Sequence, residues 1–288
     1  MKYIDRKGNI MNEETGQDKL LARLYNDHAG RLAVGALVKP WLTRAAGIFL
    51  SSGISRHLIP GFLRNSSIDM TEYEEADYHS YNDFFTRRIR PEARPVAPGE
   101  DILVSPCDGK VSVSRIGDDS RFYVKGRTYT AGEFLRNSHL AKHFRGGYAV
   151  VLRLTVDNYH HYCYPAGGMK SDQVYLKGVY HTVNPAANEA VPVYTENTRE
   201  YCLIRTSHLG TVLMAEVGAM IVGKITNHVP CAARVQKGEE KGMFEFGGST
   251  IVLLLQKGRV RIDENLLTNT ENGYETIVKM GEKIGQSC

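Results

Sequence analysis

No run of 18 apolar residues occurs anywhere in the 288-residue chain, so no helix is expected to span a bilayer. The opening stretch, MKYIDRKGNIMNEETGQDKL, lacks the apolar core of a secretory signal, and none is expected here. Cysteine is sparse and unpatterned. Cys107, Cys163, Cys202, Cys231 and Cys288 are odd in number and form no CxxC pair. That argues against a disulfide framework and a structural zinc site, and suits a reducing cytosol. Also absent are a GxxxxGK[ST] loop, a GxGxxG after a strand, an HExxH pair and a GxSxG elbow. The commonest nucleotide, zincin and hydrolase readings therefore have no support. There is no convincing ligand set for a metal, no internal repeat and no low-complexity segment.

What is present is ordinary for a soluble globular protein: 42% hydrophobic and 24% charged residues, in a length that suits one large domain or two small ones. The net charge of +4 and pI of about 8.7 suit an anionic membrane surface as well as nucleic acid, and alone decide neither. Leucines and alanines recur at helical spacing over residues 18–63, with Lys39, Arg44, Arg56, His57 and the only tryptophan, Trp41, among them. The stretch reads as core-packing helices or as an interfacial element lying on lipid. A second helical stretch, SYNDFFTRRIRPEARPV, runs into Pro91 and Pro95. From residue 101 the texture changes to short β-branched and aromatic runs between Gly- and Pro-containing turns. The expected fold is α+β: a helical amino-terminal region (1–100), then a mainly antiparallel β-rich body (101–288).

Four segments of the body could carry chemistry. In SPCDGKV, Asp108 precedes Gly109, by itself a strong turn pair. In DNYHHYCYPAGG, His160 and His161 are adjacent, so in a strand at most one of them faces a given site. In LKGVYHTVNP, His181 sits among apolar residues ahead of an Asn-Pro turn. In FEFGGSTIVLLL, Ser249 follows two glycines where a buried strand begins. If that backbone is strained, the Ser249 hydroxyl can attack the Gly248 carbonyl and convert amide to ester. A base must take the hydroxyl proton and donors must stabilise the oxyanion. β-Elimination then leaves dehydroalanine at 249, and hydrolysis of its tautomer leaves a pyruvoyl group. Each segment alone also reads as ordinary structure.

Taken together, SYNDFFTRRIRPEARPV, SPCDGKV, DNYHHYCYP, HTVNP, EVGAMIVGKI and KGEEKGMFEFGGST, in this order and spacing, resemble the pyruvoyl-dependent phosphatidylserine decarboxylase family over roughly residues 75–285. GGST looks like a bacterial variant of that family's LGST processing motif. The resemblance implies self-cleavage between Gly248 and Ser249 into a β chain (1–248) and an α chain (249–288). Ser249 would become the covalent pyruvoyl cofactor. The reaction would convert phosphatidylserine to phosphatidylethanolamine and carbon dioxide through a Schiff base. It also implies Asp108 as the acid of the processing triad and His160 as the histidine of the decarboxylation step. Phosphatidylserine and an anionic membrane would be the partners, with no nucleic acid, in a peripheral homodimer on the cytoplasmic face of the cell membrane.

One position departs from the pattern. The second histidine of the family's His-x-x-His falls where Cys163 stands, and an ordinary thiol is a poor copy of an imidazole paired to an aspartate. His181, oriented by Asp108, is the expected substitute base, with Cys163 as thiolate its competitor. Two other readings stay open: a pyruvoyl decarboxylase of a soluble amino acid, and an unprocessed lipid-binding relative.

Overall fold

The unbroken apolar run at 251–255 predicts a strand covered on both faces, and the fold is assembled around it. A computed structural model of the chain describes residues 2–12, 40–66, 68–124, 127–179, 181, 192–219, 224–245 and 249–288. Among these, the amino-terminal strands are β1 (Lys2–Ile4) and β2 (Ile10–Asn12). The body begins with β3 (Ile102–Val104), β4 (Gly109–Arg115), β5 (Arg121–Val124), β6 (Arg127–Thr130) and β7 (Tyr148–Leu154). Then come β8 (His161–Cys163), β9 (Gly168–Lys170), β10 (Val174–Leu176), β11 (Arg199–Arg205), β12 (Thr211–Val217) and β13 (Ile225–Asn227). The last are β14 (Ala233–Val235), β15 (Glu240–Phe244), β16 (Ser249–Leu255), β17 (Val260–Ile262), β18 (Glu275–Val278) and β19 (Lys283–Ser287). Helices are short: α1 (Pro40–Leu50), α2 (Ile59–Arg64), α3 (Tyr81–Phe85), α4 (Ala131–Leu135), α5 (Ser138–Ala141), α6 (Val193–Glu196) and α7 (Glu264–Glu271).

The main sheet runs β14-β9-β11-β12-β16-β7-β4-β18-β1-β2, with β10 beside β11. Its described pairs are antiparallel except β1 with β18. Every residue of β16 is buried. Ile251, Leu253 and Leu255 pack with Leu152, Met214, Tyr162 and Ile262 on one face. Val252 and Leu254 pack with Val151, Leu213, Phe134 and Phe144 on the other. Alternation is present but hidden, because both faces want apolar residues. Each buried leucine or isoleucine contributes about 1.5–3 kcal/mol.

The body thus meets the expectation of a mainly antiparallel sheet, whereas the amino-terminal region does not read as simply helical. β1 and β2 extend the sheet edge, with Tyr3 buried under the Lys110 ammonium at 3.8 Å. Three-residue strands carry too little periodicity to be seen in the sequence, and β1 owes its pairing to β18, more than 270 residues away. Residues 18–39 of the amphipathic stretch lie outside the described residues. Beyond them, Leu50 is packed with Tyr81 and Phe85, while Ile48, Phe49, Ile54 and Leu58 remain exposed.

Candidate active site

Register brings five chain segments to one rim of the main sheet. Ser249, first residue of β16, pairs with Leu154, last of β7, and Thr250 lies between Arg153 and Val217. Arg153 also pairs with Lys110, which puts Gly109 and Asp108 at the same rim. On the far side Val217 pairs with Arg199, and the Gly218 N–H donates to the Thr198 carbonyl at 2.9 Å. The rim therefore gathers the starts of β4, β11 and β16 and the ends of β7 and β12. Ser249 is 1% exposed there. Gly248, on the other side of the expected cleavage bond, lies outside the described residues.

Asp108 is held by two parallel hydrogen bonds from Arg94, Nε to Oδ1 at 2.8 Å and Nη2 to Oδ2 at 2.7 Å. Oδ1 also accepts the Met280 N–H at 2.8 Å. Burial works against the Arg94 charge, but Asp108 and then Glu72, 2.9 Å from Nη1, outweigh it and raise the guanidinium pKa. Removing one member of such a buried pair costs about 3–5 kcal/mol, so the two stand or fall together. The glycine after Asp108 is not the positive-φ turn residue that Asp-Gly suggests, since it opens β4. A Cβ there would meet the Arg153 carbonyl at 2.9 Å, so glycine is what lets β4 close on β7.

His160 is fully buried at the end of the turn that leaves β7. Asn158 closes that turn, its Oδ1 accepting from the Thr155 N–H at 2.8 Å and hydroxyl at 2.9 Å. His160 Nδ1 is 2.9 Å from the Asn158 carbonyl, which can only accept, so Nδ1 carries hydrogen and Nε2 holds the lone pair of the neutral ring. The ring lies against Phe85 of α3 with centroids 3.9 Å apart. His161 goes elsewhere, to the Thr86 carbonyl at 3.0 Å and Glu240 at 3.1 Å. The two adjacent histidines thus take different partners, His160 preceding β8 and His161 opening it.

Cys163 is buried in β8, its N–H bonded to the Pro106 carbonyl at 2.8 Å, close enough to Asp108 to feel its charge. The thiol has its pKa pushed up to about 12, by burial first and by the Asp108 and Glu240 charges after it. A raised thiol pKa works against the thiolate that a base role would need.

His181 is where the structure departs from expectation. Its Nε2 meets Glu196 Oε2 at 3.1 Å, and Asp108, expected to orient it, is engaged by Arg94 instead. Its backbone is gripped by Asn197, Oδ1 accepting from the His181 N–H at 2.8 Å and Nδ2 donating to its carbonyl at 2.7 Å. Nδ2 also donates to the Gly218 carbonyl at 2.7 Å, next to the β12 residue that pairs with Thr250. Burial lowers the imidazole pKa, and Glu196 opposes that shift without cancelling it. Sequence reasoning overlooked Arg94, Glu196 and Asn197. The only signals were an arginine enclosed by Pro91 and Pro95 and the polar triplet ENT ahead of a strand.

A comparison with family profiles matches residues 81–286 to the family described as phosphatidylserine decarboxylase. Among similar curated proteins, phosphatidylserine decarboxylase proenzyme 2 of Clostridium acetobutylicum is 39% identical, covering 96% of this chain and 95% of that protein. Phosphatidylserine decarboxylase proenzyme of Fusobacterium nucleatum is 38% identical over 99% and 97%, and that of Ruminiclostridium cellulolyticum 38% over 95% and 93%.

Proposed function

The chain belongs to the phosphatidylserine decarboxylase family, and we propose that it converts phosphatidylserine to phosphatidylethanolamine and carbon dioxide with a pyruvoyl group made from its own Ser249. The observation that carries this reading is the position of Ser249, buried at the first residue of the central strand, on the rim that also gathers Asp108, the His160 turn and the Asn197-held His181. In the maturation step, Ser249 Oγ bonds to the Gly248 carbonyl carbon as the C–N bond breaks. The resulting ester eliminates to leave a Gly248 carboxylate and dehydroalanine, and one water hydrolyses the tautomer with loss of ammonia. His181, whose charged form burial disfavours, is the base for the Ser249 hydroxyl. Asp108 is braced by Arg94 at the same rim.

Position 249 fits a covalent ketoacyl group. It is shielded from water, and the group needs no cradle beyond the strand that bears it. When formed, the group supplies the electron sink that decarboxylation of an amino acid requires. His160 delivers a proton from Nε2 after carbon dioxide leaves, its ring fixed by Phe85 and the Asn158 carbonyl.

In this reading the segment around residues 45–64 is the lipid-meeting part of a peripheral protein at the cytoplasmic membrane face, while Phe85 and Arg94 already belong with the catalytic body, as does the edge pair β1–β2. Ile48, Phe49, Ile54 and Leu58 are exposed apolar side chains close together along the chain, with Arg56, His57 and Arg64 exposed in the same stretch. Such a surface suits anionic lipid, with apolar burial plus about 1 kcal/mol per arginine near the surface. Ile48→Asp combined with Ile54→Asp is expected to cut flotation with phosphatidylserine vesicles about tenfold or more. It should slow turnover of vesicle substrate and spare turnover of substrate dissolved in detergent. A protein that decarboxylates soluble amino acids, and whose vesicle turnover ignores this change, would contradict the lipid reading.

A further inference from the structure

The described residues just before His181 are tied to a neighbouring segment. Gly178 lies so close to the Glu196 carbonyl that a Cβ would collide with it. The Val179 N–H donates to that carbonyl at 3.0 Å, and the Val179 carbonyl accepts from the Thr198 N–H at 2.9 Å. The segment 196–198 that receives it is fixed in turn by Arg199, which is fully buried. Its guanidinium donates to the carbonyls of Thr195 at 2.9 Å and Asn197 at 2.7 Å, on either side of Glu196, and to those of Phe134 and Glu133. A buried cation satisfied by neutral carbonyls alone is costly, and burial lowers its pKa to about 10. What the arrangement achieves is a rigid loop that presents one carboxylate, Glu196, to one imidazole.

We infer that Glu196 is the positioning acid of self-cleavage, orienting His181 in the part that the family pattern gives to an aspartate, while Asp108 is bound to Arg94. The inference rests on the proposed role of His181 as base. Because Glu196 Oε2 faces Nε2, that nitrogen carries hydrogen and Nδ1 holds the basic lone pair. As the Ser249 Oγ bond to the Gly248 carbon forms, the hydroxyl proton moves to Nδ1. It is then returned to the nitrogen of residue 249 as the peptide C–N bond breaks, so ring and carboxylate end as they began. Of the charged groups on the surrounding elements, Glu196 faces the ring, Arg199 holds carbonyls, and Arg153 pairs with Glu275 at 2.7 Å.

The test follows release of the 249–288 fragment from newly made precursor at a series of pH values. Cleavage requires neutral His181, so its rate should rise with pH through the imidazole pKa. Glu196 stabilises the protonated ring, so Glu196→Gln moves that rise to lower pH and lowers the plateau by about 10–100-fold. Glu196→Asp recovers part of the rate. The Glu196 side chain is 45% exposed, so the Gln variant should melt at the wild-type temperature, which separates positioning from folding. His181→Ala should block cleavage. If it does while Glu196→Gln keeps the wild-type rate and profile, the inference is overturned and the base assignment survives. If His181→Ala cleaves at the wild-type rate, both are overturned.

Discussion

Ser249→Ala is expected to leave a single uncut 288-residue chain whose carbon dioxide release from phosphatidylserine is at background. The change removes the one oxygen that can attack the preceding carbonyl, and with it the precursor of the electron sink. No neighbouring group replaces it, because Thr250 is displaced by one residue along β16 and so points to the opposite face of the sheet. The fold should tolerate the substitution. Alanine fits a buried strand start, and a lost hydroxyl costs about 1 kcal/mol. Denaturing gel electrophoresis and a carbon dioxide assay read the two effects separately. A cleaved Ser249→Ala chain would mean that an ordinary protease cuts here.

The second large effect is expected at His160. His160→Ala should still be cleaved but lose about 10²–10⁴ in decarboxylation rate, the usual contribution of a positioned proton donor. Three features argue for a donor at this place: full burial, a tautomer set by the Asn158 carbonyl, and a ring seated on Phe85. Alanine leaves a cavity against Phe85, so His160→Gln, which keeps most of the volume, is the companion variant. Both should process and both should turn over slowly. Near-normal turnover in either fully processed variant would remove the role.

The sequence made the body legible because antiparallel strands are local objects. The apolar run at 251–255 and the short β-branched and aromatic runs at 148–154 and 211–217 appear where β16, β7 and β12 lie. Ser249, Asp108 and His160 were singled out by motif context, and the register brings their segments together because three strand ends share a rim. Partnerships were not legible. Arg94 reaches Asp108 across 14 residues and Glu196 reaches His181 across 15, yet neither pair has a spacing rule, since each depends on how loops dock. The same holds for β1, whose partner β18 lies at the opposite end of the chain. Asp108 was expected to serve a histidine because its partner was sought among histidines, whereas an arginine offers a better two-point match to a buried carboxylate.

The most direct test of self-processing is the intact mass of the purified wild-type protein together with amino-terminal sequencing of its smaller fragment. The expected result is two chains, 1–248 and 249–288. The smaller should be lighter by one ammonia than a serine-ended fragment and blocked to Edman degradation. An uncut chain after prolonged incubation, or a 249–288 fragment that begins with a free serine amine, would contradict it.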